Sequence, residues 1–293
     1  MTTTPTQRPL LERRSRPADS AELLDRLYGG QISLSPGTPA ACDLASAAME
    51  AVRQAFADVG DPALAQFELS NEDFFCRVKA LRRAFYVDPE WRARATNTII
   101  AAGLDPERTA YDPLKLRVVQ SGGAKNPAAT PVFQAHRDVW YSHPSCLVTW
   151  WVALHEASEE ETFAFYPDYL NRSAPNDSER FDYGEWVKDG PDLKIGWQDI
   201  EAGRTAVFPS LTGEIESSVE AELGFAPEAG DELLFAGAHL HRTLAHESGR
   251  TRFSVDFRII DTEDARTGRG APLVDARCRG TAVPDYLPVA GGG

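Results

Sequence analysis

Close cysteine pairs, long apolar runs and an excess of basic residues are all absent from this sequence, and each absence narrows the possible functions. No apolar run reaches the length of a membrane span. Residues 1–18 lack the apolar core of a signal peptide, so we predict a disordered tail there. The scattered cysteines exclude a cysteine-based zinc site and favour free thiols in a reducing cytoplasm; they are Cys42, Cys76, Cys146 and Cys278.

Basic residues are too few for a nucleic-acid-binding protein. Acidic residues outnumber basic ones by 44 to 30, which gives a net charge of −14. Affinity for nucleic acid depends on Lys and Arg meeting phosphates, and anionic membrane surfaces also attract basic segments. We therefore expect neither nucleic acid nor a membrane as a partner.

The first part of the chain, about residues 20–103, has the apolar spacing of helices. Leu44, Ala48, Val52 and Phe56 recur at helical intervals. Ser70 is a candidate N-cap for a second helix. A third helix is expected at "DPEW", with Asp88 as the cap and a proline after it. This section carries no motif, and we predict that it supports the rest of the fold.

From about residue 113 to 261 the period changes to two, which is typical of strands. The crossovers are not regularly helical, so the sheet is expected to be antiparallel, as in a sandwich or jelly roll. Residues 170–230 form a long insertion, which we interpret as a lid or binding loop. Residues 262–293 look irregular. We expect residues 19–293 to form a single domain; the predicted strands are "LKLRVVQ", "FQAHRDVW", "CLVTWWVAL", "ETFAFYP", "DELLFAGAHLH" and "TRFSVDFRII".

The second of these strands carries a histidine and a carboxylate two residues apart. As a strand, it places Gln134, His136, Asp138 and Trp140 on one face. Imidazole and carboxylate together suit a first-row transition metal, with a third ligand from elsewhere. The triplet "HRD" also occurs in protein kinases, but those need an Asn five residues after the Asp, where this chain has His143.

Two C-terminal strands supply further candidates. "DELLFAGAHLHRT" places His239 and His241 on one face, so that either could be the third ligand. "TRFSVDFRII" places Arg252, Ser254, Asp256 and Arg258 on one face and apolar residues on the other. A buried Arg must meet an anion, and Arg252 with Ser254 is well suited to hold a carboxylate.

These residues, in this order, resemble the motif of the iron(II)/2-oxoglutarate-dependent dioxygenases, which is His-x-Asp, a long gap, a second His and then an Arg. "RFS" at 252–254 and the "GDELLF" run are similar to the phytanoyl-CoA dioxygenase-like branch. The resemblance implies a double-stranded β-helix (a cupin-like jelly roll), Fe(II) bound by His136, Asp138 and His241, and 2-oxoglutarate bound by Arg252 and Ser254.

The activity implied by the resemblance uses O2 and releases succinate and CO2. It would hydroxylate, desaturate or cyclise a small molecule, in secondary metabolism and in the cytoplasm. Asp138 argues against halogenation, because related halogenases have a small residue at that position.

The sequence leaves the substrate and the oligomeric state open. Spacing to Arg252 favours His241 over His239 as the distal ligand.

The competing interpretation is a non-oxidative cupin-like isomerase, lyase or binding protein that uses the same metal ligands but needs no anion clamp. Candidates for the substrate pocket are Gln134, Trp140, Trp151, Tyr166, His239, Arg117 and Arg258.

Overall fold

The computed structural model describes residues 11–13, 19–125, 133–189, 208–216 and 224–291. Within these ranges, ten strands form a large sheet and a small one. The strands are β1 Leu11–Arg13, β2 Ile32–Ser35, β3 Thr109–Tyr111, β4 Lys115–Val119, β5 Val148–Ala153, β6 Phe163–Phe165, β7 Glu232–Ala236, β8 His241–Thr243, β9 Arg252–Asp261 and β10 Leu287–Pro288. The α-helices are α1 Ser20–Tyr28, α2 Pro39–Ala55, α3 Ala65–Glu68, α4 Asn71–Val87, α5 Pro89–Ala101, α6 Tyr183–Trp186 and α7 Thr262–Thr267.

The large sheet has the order β1-β2-β7-β5-β9-β3-β10, and β4 also pairs with β9. All of its pairings are antiparallel except β1 with β2. Strand β9 is the longest and lies between β5 on one side and β3 and β4 on the other. Strand β9 therefore joins β3, β4 and β5 into one continuous sheet, and β4, β5 and β9 carry candidate site residues.

The N-terminal helices cover one face of the large sheet. Capping side chains begin them as the sequence predicts: Ser70 accepts a hydrogen bond from the backbone N–H of Asp73, and Asp88 from that of Glu90. Their apolar stripes share one core with the outward residues of β9; on that strand these are Phe253, Val255, Phe257 and Ile259.

The small sheet, β6 with β8, packs across the other face. The Phe165 and Phe235 rings lie 4.9 Å apart, and the Trp151 and Phe163 rings 5.4 Å apart, each joining the two sheets. Two facing antiparallel sheets with helices outside are consistent with the predicted jelly roll. The functional side chains of β9 point into the space between the sheets.

Three predicted elements are wrong in detail. Residues 133–140 are not a strand: only His136 makes a β-bridge, and Asp138–Tyr141 is a 3-10 helix. "DELLFAGAHLH" is also not one strand, because a turn at 237–240 separates β7 from β8 and sends them to different sheets. The helical section contains strand β2, in which Ile32 and Leu34 alternate with serines; it lies between α1 and α2 in the chain and pairs with β7 of the large sheet.

The two ends of the chain also differ from expectation. Residues 11–13 of the predicted disordered tail form β1, and the rest of residues 1–18 lies outside the described residues. The C-terminal segment, expected to be irregular, contains α7 and β10. Of the predicted lid, residues 190–207 and 217–223 lie outside the described ranges.

Two further features of the fold concern the cysteines and the length of the helices. All four cysteines are free. Within the described ranges, no helix combines the length and apolar character needed to cross a membrane.

Candidate metal centre

His136, Asp138 and His241 come together between the sheets. One potential ligand atom from each lies within 4.8 Å of those from the other two. A β-bridge joins the two histidines: each backbone N–H donates to the carbonyl of the other, at 2.9 and 3.0 Å. Asp138 Oδ1 lies 3.8 Å from His136 Nε2. Two imidazoles and one carboxylate on one side of an ion leave other positions open, as in non-haem iron(II) sites.

The ligand side chains are oriented by hydrogen bonds behind them. His136 Nδ1 lies 3.0 Å from the Gln134 carbonyl, and His241 Nδ1 lies 3.1 Å from the His239 carbonyl. Because a carbonyl only accepts, both Nδ1 atoms donate, which leaves Nε2 of each ring as the free acceptor for a metal.

Asp138 is held at both of its oxygens. The Thr149 hydroxyl donates to Oδ2 at 2.5 Å, and Arg258 donates to Oδ1 at 3.1 Å. The 3-10 turn after Arg137 aims this carboxylate at the two histidines. Oδ1 is the oxygen nearer His136, so it is the one placed to bind an ion together with that ring.

Burial and neighbouring charges keep these groups in the forms that bind metal. Burial, followed by the effect of His136, lowers the pKa of His241 to about 4. Burial also lowers the pKa of His136. Burial alone would raise the pKa of Asp138, but Arg258 and the two histidines hold it well below its usual range. At neutral pH the site therefore has two neutral imidazoles and a carboxylate.

Arg252 is a buried cation without an acidic partner among the described residues. Its side chain is 1% exposed, and it forms no ion pair there. It donates to the Ser254 hydroxyl at 2.5 Å, while its Nε has no hydrogen-bond partner. Its guanidinium lies 5.8 Å from the Trp151 ring and 5.6 Å from the Phe163 ring. Burial and nearby Arg117 lower the pKa of Arg252 to about 10, so it stays charged at neutral pH. A dry, unpaired guanidinium beside a hydroxyl is suited to receive a carboxylate.

The other predicted cations are already paired. Arg258 bridges Asp138 and Asp112, at 3.1 and 3.3 Å. Arg117 donates to Asp256 at 2.9 Å and remains partly exposed. These contacts make Arg258 a support for a ligand, whereas Arg117 keeps access to solvent near His136.

The remaining pocket candidates are placed differently from the sequence interpretation. Trp140 and Tyr166 share a buried cluster, and the Trp140 indole N–H donates to Asp275 at 2.8 Å. His239 is fully buried in the turn, with its ring near those of Phe165 and Phe235. Because the strand containing His239 and His241 is interrupted, the two rings are not one pleat repeat apart. Gln134 is exposed, and Trp151 lies beside Arg252.

Sequence reasoning missed several residues around the site. Thr149 could have been found, because it shares the inward parity of Trp151 on β5. Tyr141, whose ring lies edge-on to His136 at 5.9 Å, ends the 3-10 turn and lies just beyond the predicted strand. Asp275, which binds Arg137, is distant in sequence and carries no local signal.

No family model and no curated protein matches this sequence. Solved structures similar to the chain include the non-haem alpha-ketoglutarate-dependent epimerase SnoN from nogalamycin biosynthesis, at 16% identity. A complex of SnoN with Fe3+, alpha-ketoglutarate and nogalamycin RO gives a TM-score of 0.43 over 83% of this chain and 85% of that one.

Two other similar structures cover a smaller share of this chain. The alpha-ketoglutarate-dependent carbocyclase SnoK is 15% identical, with a TM-score of 0.37 over 65% of this chain and 69% of that one. EvdO2 from Micromonospora carbonacea var. aurantiaca, complexed with 2-oxoglutarate, is 11% identical, with a TM-score of 0.37 over 63% and 64% of the chains. SnoN and SnoK are alpha-ketoglutarate-dependent non-haem enzymes, and EvdO2 has been solved with 2-oxoglutarate bound.

Proposed function

We propose that this protein is a non-haem iron(II) and 2-oxoglutarate-dependent oxygenase that acts on a small molecule. The observation that carries the proposal is Arg252, a buried guanidinium without an acidic partner in the described structure, between the same two sheets as the metal-binding triad. A metal site alone does not require such a cation, and an unpaired buried charge lowers the stability of the fold. A cosubstrate that binds the metal at one end and carries a carboxylate at the other would compensate the charge of Arg252.

Each group of the site then has a defined role. His136, Asp138 and His241 would hold Fe(II). Arg252 and Ser254 would bind the far carboxylate of 2-oxoglutarate. Iron and 2-oxoglutarate together supply the chemistry that couples reduction of O2 to oxidation of a carbon centre, with 2-oxoglutarate leaving as succinate and CO2.

The protein's own contribution is to position these groups and to exclude water. Trp151 and Phe163 cover the guanidinium of Arg252, which strengthens its interaction with a carboxylate. The most exposed ligand is His136, whose side chain is 20% exposed against 3% for Asp138. We therefore place substrate entry on the His136 side, past Tyr141 and Arg117. Oxidation of a substrate by hydroxylation, desaturation or ring formation is compatible with this arrangement.

The alternative is a non-oxidative cupin-like protein with the same triad. Such a protein would bind iron but would not need a carboxylate at Arg252. The two proposals separate on one measurement, which is binding of 2-oxoglutarate to the iron-loaded protein.

The first experiment adds 2-oxoglutarate to the anaerobic Fe(II)-loaded protein and follows the visible charge-transfer absorption that chelation should produce. Arg252→Ala should weaken 2-oxoglutarate binding and leave the iron affinity unchanged. Charge-assisted hydrogen bonds contribute about 1.5–3 kcal/mol each, so the loss should lie between about tenfold and about 150-fold.

Arg108→Ala is the matched control, since Arg108 pairs with Asp261 at the opposite end of the same strand and is half-exposed. It should leave 2-oxoglutarate binding unchanged. Stoichiometric iron without any 2-oxoglutarate binding would support the cupin-like alternative instead.

A further inference from the structure

Arg137 stands between two ligands in sequence, yet its side chain points away from them and is buried. It is 1% exposed. Its Nε donates to Asp275 Oδ2 at 3.1 Å, and one Nη donates to the carbonyls of Tyr169 and Arg172 at 2.6 and 2.8 Å. Its other Nη donates to the Ala238 carbonyl. This one guanidinium therefore joins four separate segments of the chain.

One of those segments carries the third ligand. Ala238 lies in the turn that leads into His241, so its bond to Arg137 ties that turn to the segment carrying His136 and Asp138. Two backbone contacts also join these segments: the His136–His241 bridge, and the Val139 N–H donating to the Gly237 carbonyl at 3.3 Å. Arg137 thus adds a side-chain hydrogen bond to the backbone contacts and apolar packing between the ligand-bearing segments.

Asp275 holds Arg137 in place. This carboxylate is buried in the C-terminal segment and accepts hydrogen bonds from three sources. Besides Arg137, they are the Trp140 indole N–H and the Ala174 backbone N–H, each at 2.8 Å. Trp140 follows Asp138 in the same 3-10 turn, so Asp275 fixes the ligand segment at two points.

From these contacts we propose that Arg137 and Asp275 are positioning residues that set the separation of His241 from His136 and Asp138. The C-terminal segment, which contributes no ligand, would thereby control metal affinity. This inference rests on the proposed metal site, but it does not depend on 2-oxoglutarate as the cosubstrate.

The test compares Asp275→Asn with Glu161→Gln in the full-length protein. Glu161 is the matched control: it is also a buried carboxylate that pairs with an arginine, Arg250, and accepts a backbone N–H, from Ser158. It touches no ligand segment in the described structure. Both variants should lower the thermal midpoint, because each removes the charge of a buried carboxylate that pairs with an arginine.

Co(II) binding should separate the two variants. Residues behind metal ligands are typically worth 10–100-fold in metal affinity. Asp275→Asn should therefore weaken Co(II) binding by about 10–100-fold and change its visible absorption spectrum, whereas Glu161→Gln should leave both unchanged. Arg137→Lys, which keeps the charge but cannot donate to all four acceptors, should also bind Co(II) weakly.

Equal Co(II) affinities for Asp275→Asn, Glu161→Gln and the wild type would overturn this inference while leaving the proposed oxygenase intact. A wild-type protein that binds Co(II) but not 2-oxoglutarate would overturn the oxygenase while leaving the inference to be decided by the same variants. A wild-type protein that binds no metal would overturn both.

Discussion

At the scale of single residues, the two neighbouring histidines of the β7–β8 turn have separate roles. The His241 side chain is a candidate ligand, whereas His239 contributes its backbone carbonyl, which fixes the His241 ring. His241→Ala should reduce metal affinity by more than about 100-fold, the upper end of what residues behind a ligand contribute. Equilibrium binding of Co(II) or Ni(II) to the purified variant would measure this loss.

His239→Ala provides the comparison. Its imidazole packs against Phe165 and Phe235 in the core, and the backbone carbonyl is kept in the variant. We expect near-normal metal affinity and a loss of about 1–3 kcal/mol in the free energy of unfolding, as is usual for a truncated core side chain. If His239→Ala lost the metal and His241→Ala retained it, the ligand assignment would be wrong.

At the scale of elements, the turn after β7 needs a glycine. A Cβ at Gly237 would lie 2.0 Å from Leu147 Cδ2 and 3.2 Å from the Cβ of Asp138. Gly237→Ala should therefore displace Asp138 and lower metal affinity, besides costing about 1–3 kcal/mol of stability through overpacking. Metal titration and urea unfolding of the variant would measure the two effects.

A second substitution tests whether the clash with the Leu147 side chain causes the loss of metal affinity. Leu147→Val removes the Cδ atoms, so the Gly237→Ala/Leu147→Val double variant should recover part of the metal affinity lost by Gly237→Ala. Gly60→Ala is the control, because nothing lies within 4 Å of a Cβ at that position. No recovery in the double variant would show that the loss has another origin.

Elements with an unbroken period could be predicted from sequence. Strand β9 alternates cleanly between an apolar face and a charged one, so both the strand and the Arg252–Ser254 pair follow from period two. The helix N-caps at Ser70 and Asp88 could also be predicted, because capping is a local interaction.

Elements that carry the ligands could not be predicted in the same way. The residues of the 3-10 turn at Asp138 also satisfy a strand pattern, whereas the contacts that hold the turn come from residues distant in sequence, such as the Gly237 carbonyl that accepts from the Val139 N–H. Contacts between residues distant in sequence produce no local sequence pattern: Arg137 and Asp275 are 138 residues apart and form their ion pair only in the folded chain. The motif therefore predicts the three candidate ligands that the structure brings together, whereas the residues that support them could be found only in the structure.

At the scale of the whole molecule, the histidines should control stability in mild acid. Burial lowers the pKa of all six. With burial as the main cause in each case, the values fall to about 3 for His143, about 3 for His239 and about 4 for His241. In the unfolded chain each would titrate near its ordinary pKa of about 6.5.

The sign of the effect follows from which state binds the protons. Above pH of about 6.5 neither state protonates these histidines, so the stability is fully present. As the pH falls toward 4, the unfolded chain gains protons that the folded chain does not, so the free energy of unfolding falls. Each such histidine contributes a slope of about 1.4 kcal/mol per pH unit, and these three together about 4 kcal/mol.

Urea unfolding of the metal-free protein at several pH values from 7 to 4.5 would measure that slope, and His143→Gln would test its origin. Besides being buried, His143 lies near Arg258, which also lowers its pKa, and its Nδ1 is 2.9 Å from the Tyr286 hydroxyl, a contact that an amide can keep. Removing one titrating group should reduce the slope by about 1.4 kcal/mol per pH unit, whatever the variant's stability at pH 7. An unchanged slope would mean that His143 takes up its proton in the folded state, and that the interior beside Asp138 is more accessible to water than its burial indicates.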